Sequence, residues 1–269
     1  MKNLVGIIVI LTLVSCKKDF SDLDVIVSSH AAESIYYKQN DYPPNSLEGI
    51  KTVLLDARLD CIELDVQMTK DNKLVLWHDA NLDVNSNLNG CVGDYNRSEL
   101  SNAQIYGTTF EIAFLEQAIN LALNAETKLI LDVKHYNPCA GEKINNTQFN
   151  SALNDELAGL TDLQKQNIIV NCRDLNLLLA LTDHSVIKSL ETDELEYAKS
   201  TIQSSDINTV FVKLDEFSEA WQTMLETHQA DFGLYNLNNR SDVNKALEFA
   251  PDYVISDKLD YTLTVVHGK

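Results

Sequence analysis

From residue 24 onward, short runs rich in β-branched and other apolar residues alternate with segments whose apolar residues recur at every third or fourth position. The first kind of run predicts strands and the second amphipathic helices. Strands are expected at Asp24–Ser29, Cys61–Val66, Leu74–His78, Lys128–Lys134, Asn167–Cys172, Ser185–Leu190, Thr209–Leu214, Asp231–Tyr235 and Asp252–Ser256. Helices are expected at Asn45–Ala57, Phe110–Ala125, Asn150–Leu160, Asp193–Gln203, Glu216–His228 and Ser241–Ala250. Such alternation implies an α/β fold with a parallel sheet, closed as an irregular (β/α)8 TIM barrel or, as the alternative, open and doubly wound. No linker divides the chain, so a single domain is expected over residues 24–269. Nine strands are one more than the barrel needs, which makes Ser185–Leu190 or Thr209–Leu214 the suspect, or leaves one strand outside. The gap between Val66 and Leu74 is too short for a crossover helix, so the barrel must be irregular there.

The N-terminus breaks the pattern. A short basic start, Met1-Lys2-Asn3, leads into the apolar run Leu4–Val14, which is too short to span a bilayer. It ends at Ser15-Cys16 before Lys17-Lys18-Asp19. This resembles a bacterial lipoprotein signal, which implies that residues 1–15 are removed, that Cys16 is lipidated, and that residues 16–23 form a linker. The expected location is that of an exported, membrane-anchored lipoprotein, periplasmic or at the cell surface, touching the membrane by its lipid alone. In an exported chain cysteines can pair. Cys61 and Cys172 lie in strand-like runs and read as buried thiols, whereas Cys91 and Cys139 lie in loop contexts and are the expected pair if one disulfide forms.

Charge narrows the partners. The 269 residues carry 40 acidic and 21 basic side chains, a net charge of −19. That surface disfavours nucleic acid and anionic membrane. Such a balance suits a self-repelling surface and is also common among enzymes built around a metal centre.

Such a centre is suggested where strands end, because active residues of a barrel gather at the carboxyl ends of its strands. The first expected strand ends at His30, the second carries Glu63 and Asp65, the third ends at His78-Asp79, and the fourth carries Asp132 and Lys134. Residues two apart on a strand share a face. Glu63 and Asp65 therefore point the same way, as do Asp132 and Lys134, with Leu64 and Val133 turned to the helices. Three carboxylates at one mouth repel one another, and a hard divalent cation, Mg²⁺ or Ca²⁺, relieves that repulsion.

The stretch ELDVQMTKDNKLVLWHDANLD (63–83) resembles the signature of the glycerophosphodiester phosphodiesterase family, and the likeness extends weakly to Ser98-Glu99-Leu100, LYNLNN and DYVISDKLD. The resemblance covers roughly residues 24–260 and implies a metal-dependent irregular barrel of the PLC-like phosphodiesterase superfamily. It implies His30 and His78 as the catalytic histidines, Glu63, Asp65 and Asp132 as ligands of one divalent cation, and Lys134 as a phosphate contact. The chain departs from the family at several places, including a longer spacing between His30 and Pro43 and no Trp near the last two strands. Ala31-Ala32 stands where the family has Arg-Gly, Pro43-Pro44-Asn45-Ser46 where it has Pro-Glu-Asn-Thr, and Asp132 where it usually has Glu. The lost arginine bears on substrate and rate, since a methyl group cannot hold a phosphate.

The expected activity is hydrolysis of glycerophosphodiesters to glycerol 3-phosphate and an alcohol. One histidine would accept the nucleophile's proton and the other protonate the leaving alkoxide, with His30 assigned as base and His78 as acid. Two rivals use the same scaffold: a phospholipase C- or D-type enzyme acting on phospholipid head groups, and a surface lipoprotein that binds a ligand without turnover. The oligomeric state is not legible in the sequence.

Overall fold

The computed structural model describes residues 20–34 and 41–268. The expected leader, Cys16 and the start of the linker lie outside the described residues. In chain order the strands are β1 (Ile26–Ser29), β2 (Cys61–Met68), β3 (Leu74–Leu76), β4 (Lys128–Val133), β5 (Tyr136–Asn137), β6 (Glu142–Lys143), β7 (Ile168–Cys172), β8 (Ile187–Glu191), β9 (Thr209–Lys213), β10 (Asp231–Leu237) and β11 (Tyr253–Ser256). The main sheet runs β1-β11-β10-β9-β8-β7-β4-β2-β3, and β1 also pairs with β2. Eight parallel strands thus close into a barrel.

The surplus strand is β3, which lies outside the barrel as one of the expected alternatives has it, whereas Ser185–Leu190 and Thr209–Leu214 both supply barrel strands. The β2–β3 connection explains this. Thr69 donates its amide to the Lys73 carbonyl and accepts the Lys73 amide on its hydroxyl, making a tight turn at Lys70–Asn72. A connection that short permits only an antiparallel return, and β3 pairs antiparallel with the end of β2, outside the barrel.

The helices are α1 (Leu47–Val53), α2 (Arg97–Leu100), α3 (Leu115–Asn124), α4 (Asn146–Leu157), α5 (Asp162–Lys165), α6 (Leu175–Ala180), α7 (Leu195–Ser204), α8 (Glu219–His228), α9 (Arg240–Leu247) and α10 (Leu259–His267). Side-chain caps set several starts. Ser46 accepts from the Gly49 amide at α1, so α1 begins later than periodicity alone suggests and leaves Asn45 free of the helix. Asn145 accepts from the Gln148 amide, starting α4 four residues earlier than expected. Helix α6 reads Leu-Asn-Leu-Leu-Leu-Ala, with too little polar contrast to show a stripe in the sequence. Among the described residues no helix is long and apolar enough to cross a membrane.

Strand alternation sorts the core into layers. Outward residues, among them Leu64 and Val133, pack against α1, α3, α4 and α6. Val210, Val212, Leu234 and Val254 face the helices on the other side. Inside the barrel a small plug of Cys61, Ile130, Ile169, Phe211, Tyr253 and Ile255 closes the floor. Gly233 makes room for it, since a Cβ there would lie 2.2 Å from the Phe211 ring. The segment between β3 and α3 folds over its own core of Trp77, Leu82, Val92, Leu100, Ile105 and Phe114. A disulfide between Cys91 and Cys139 ties it to the loop after β4, while Cys61 and Cys172 are buried free thiols.

Candidate active site

Strand register assembles the acidic centre. Asp65 of β2 lies opposite Asp132 of β4, and Glu63 precedes Asp65 on the same inward face. Oxygens of Glu63, Asp65 and Asp132 all lie within 4.8 Å of one another. Lys134, one inward step beyond Asp132, places its Nζ 2.5 Å from Asp132 and 2.8 Å from Asp65. Asn45 grips Asp65 at both ends: its amide donates to Oδ2 (2.7 Å) and its carbonyl oxygen accepts from the Asp65 backbone N–H (2.9 Å). The Ala31 N–H donates to Glu63 Oε2 at 2.9 Å.

The electrostatics of this centre follow from burial. Removal from water, and then the Asp65 charge, push the Glu63 carboxyl up. Burial also disfavours the Asp65 carboxylate, but Lys134, His78 and the hydrogen bonds from Lys134 and Asn45 outweigh it and hold Asp65 low. Lys134 is kept charged against its own burial by Asp65, Asp132 and Glu63. A hard cation suits such a set: three oxygen donors within a few ångströms, of which Lys134 contacts only Asp65 and Asp132.

The histidines flank the acids. His30 follows β1, with Nδ1 3.0 Å from Asp257 and Nε2 4.0 Å from Glu63. Burial opposes its charge, yet Asp257, Glu63 and Asp65 raise its pKa to about 9. Asp257 in turn accepts from the Ser34 hydroxyl at 2.8 Å. His78 comes from the turn after β3 and not from a barrel strand. Its Nδ1 lies 3.1 Å from Asp79, whose hydrogen bond, together with the Asp65 charge, raises its pKa. Gln67, next after Asp65 on the inner face of β2, donates to the carbonyls of Trp77 (2.8 Å) and Asp79 (2.7 Å) and so fixes that turn.

The mouth holds two adjoining cavities. One, of about 340 Å³, is lined by His30, Glu63, His78, Asp132, Lys134, Asn171, Arg173, Glu191 and Tyr235 among others. The second, of about 270 Å³, is lined by Gln67, His78, Asp132, Lys134, His135, Tyr136, Arg173 and Glu191. The structure therefore brings Glu63, Asp65, Asp132, Lys134, His30 and His78 together at one mouth. Cys91 and Cys139 sit away from it, and Cys16 lies outside the described residues.

Sequence reasoning missed Asn45, Gln67, Asp257, Asn171, Arg173, Glu191 and Tyr235. Two signals were available. Gln67 continues the two-residue period of Glu63 and Asp65, and Asn171-x-Arg173 ends an apolar strand in the way Asp132-x-Lys134 does.

A family model described as the glycerophosphoryl diester phosphodiesterase family matches residues 38–261. A glycerophosphodiester phosphodiesterase of Bacillus altitudinis is 32% identical over 98 residues, 34% of this chain and 40% of its own length. One from Bacillus subtilis is 41% identical over 61 residues, 23% of this chain and 20% of its own length. The chain thus spans less than half the length of these curated relatives. Among solved structures, an Oleispira antarctica phosphodiesterase in complex with the product sn-glycerol-3-phosphate superposes with a TM-score of 0.75 at 15% identity, over 89% of this chain and 96% of that one. A glycerophosphodiester phosphodiesterase of Thermotoga maritima gives 0.68 at 20% identity, over 90% and 97%. At these identities the likeness fixes the fold.

Proposed function

Because the chain belongs to the glycerophosphoryl diester phosphodiesterase family, we propose that it hydrolyses glycerophosphodiesters to glycerol 3-phosphate and an alcohol. One observation carries the reading: the oxygens of Glu63, Asp65 and Asp132 converge within 4.8 Å at a mouth shared with Lys134 and both histidines. These three residues would hold one divalent cation, Mg²⁺ or Ca²⁺, which would supply Lewis-acid stabilisation of negative charge on the phosphate. Lys134 offers a second positive charge to a phosphate oxygen.

Each histidine is oriented by a carboxylate. Asp257 takes the Nδ1 side of His30, and Asp79 that of His78, so Nε2 is the working atom of both rings. His30, in its neutral form, accepts the proton of the nucleophile, a water or a neighbouring glycerol hydroxyl; a cation held by Glu63 and Asp65 would favour that form by offsetting the acidic charges that otherwise keep the ring protonated. His78 protonates the departing alkoxide. Asn45 and Gln67 position the acids and the His78 turn and exchange no proton.

The test is turnover on a panel of glycerophosphodiesters in Mg²⁺ and in Ca²⁺, with glycerol 3-phosphate assayed directly. His30→Ala and His78→Ala should each lower kcat by about 10²–10⁴. Unchanged turnover in both variants, or release of diacylglycerol from phospholipid in place of glycerol 3-phosphate, would overturn the reading. We also propose export as a lipid-anchored protein. The Cys91–Cys139 disulfide supports this, since such bonds persist in oxidising compartments.

A further inference from the structure

We propose that Arg173 is the guanidinium that grips the substrate phosphate in this protein, the role that Ala31 cannot fill. The inference rests on the phosphodiesterase reading and adds a residue to it. Strand register places the side chain. Asn171 lies opposite Asp132, and Ser189 opposite Asn171. One inward step further along each strand stand Lys134, Arg173 and Glu191. Arg173 is therefore level with Lys134, just above the carboxylates, and both residues line both cavities.

The guanidinium is held through Nε and Nη2. Nε donates to Glu191 Oε1 at 2.8 Å, and Nη2 lies 2.6 Å from the same carboxylate. Nη2 also donates to the Tyr235 hydroxyl at 2.9 Å, which donates to Glu191 at 2.9 Å. Asn171 steadies Glu191 from below at 3.3 Å. Among the described residues Nη1 has no partner, and the Arg173 side chain is 52% exposed while Glu191 is 12% exposed. A pair built only to join two strands needs no free donor edge at the mouth. A planar fork fixed along one side, with two N–H groups left over, suits a non-bridging phosphate oxygen. A second carboxylate, Asp193, lies 3.6 Å from Nη2.

A second observation points to a polar ligand in the same cavity. Asn171 is 3% exposed, and its side-chain oxygen is buried without a partner among the described residues. Such an acceptor is costly to leave unpaired, and Asn171 lines the cavity that Arg173 and Lys134 also line.

The experiment compares wild type with Arg173→Met and Arg173→Lys, with folding of each checked by circular dichroism. Two readouts are taken in saturating Mg²⁺ or Ca²⁺: steady-state kinetics on a glycerophosphodiester, and calorimetric titration with sn-glycerol 3-phosphate. Arg173→Met should lose kcat/KM and affinity on the order of 100-fold, and added guanidinium ion should restore part of the rate. Arg173→Lys should lose about tenfold, because a point charge replaces the fork. If Arg173→Met does not fold, Arg173→Lys carries the test. Variants that keep kinetics and affinity within about twofold of wild type, whatever their melting temperature, overturn the inference and mark the pair as structural. A wild type that cleaves no glycerophosphodiester defeats the activity reading instead, and the titration alone then decides Arg173.

Discussion

At the scale of single residues, the turn after β1 is the most informative. Ala31 and Ala32 have φ of 49° and 73°, in the left-handed region, and both are fully buried. A Cβ costs about 1–2 kcal/mol there, and glycine avoids it at some entropic loss in the unfolded chain. The strain is retained because the Ala31 N–H binds Glu63 and the Ala31 carbonyl receives the Asn45 N–H. Ala32→Gly should therefore raise stability by about 0.5–1 kcal/mol, read from urea unfolding. Asn45→Ala removes both bonds to Asp65 and should weaken Mg²⁺ or Ca²⁺ binding by about 10–100-fold in a calorimetric titration, with little change in secondary structure. Glu63, Asp65 and His78 were legible because they share one short stretch in which a two-residue period fixes direction. Asn45 lay in a segment read as the start of a helix. Arg173, Glu191 and Tyr235 are isolated polar residues at three strand ends, far apart in sequence, and only barrel closure brings them together.

At the scale of elements, packing inside the barrel limits what the strands tolerate. Gly233 on β10 lies under the Phe211 ring of β9, and Phe211 is fully buried. Gly233→Ala should cost about 1–3 kcal/mol in urea unfolding, and Phe211→Leu introduced with it should recover part of that loss. Alternation along β2, β4 and β7 could be read from the chain because apolar and polar residues differ strongly there. The status of β3 could be read only in part, from the short gap after Val66 that makes the barrel irregular there. A three-residue apolar strand looks the same whether it joins a barrel or folds back, and the backbone bonds of the Thr69–Lys73 turn decide between them. That return is also what delivers His78 to the mouth, so the irregularity of the barrel and the position of one histidine have the same cause.

At the scale of the whole molecule, the net charge of −19 meets a buried acidic centre. A cation that binds only the folded state should raise the melting temperature, by the equivalent of about 2.7 kcal/mol at a hundred times its Kd. Glu63→Gln with Asp65→Asn and Asp132→Asn should abolish that response to Mg²⁺ and Ca²⁺ while leaving any effect of sodium chloride. The barrel as a whole was legible from regular alternation, which needs no knowledge of contacts. Its closure was not, and the way it closes has a consequence for heat. Strands β2 and β4 share six register pairs, whereas β1 and β2 meet through two, Ser28 with Cys61 and Ser29 with Ile62. With so few pairs, that seam should open first on warming, and His30 and Glu63 stand on its two sides. Warming should silence turnover several degrees before circular dichroism records any melting, because the cylinder splits through its own workplace first.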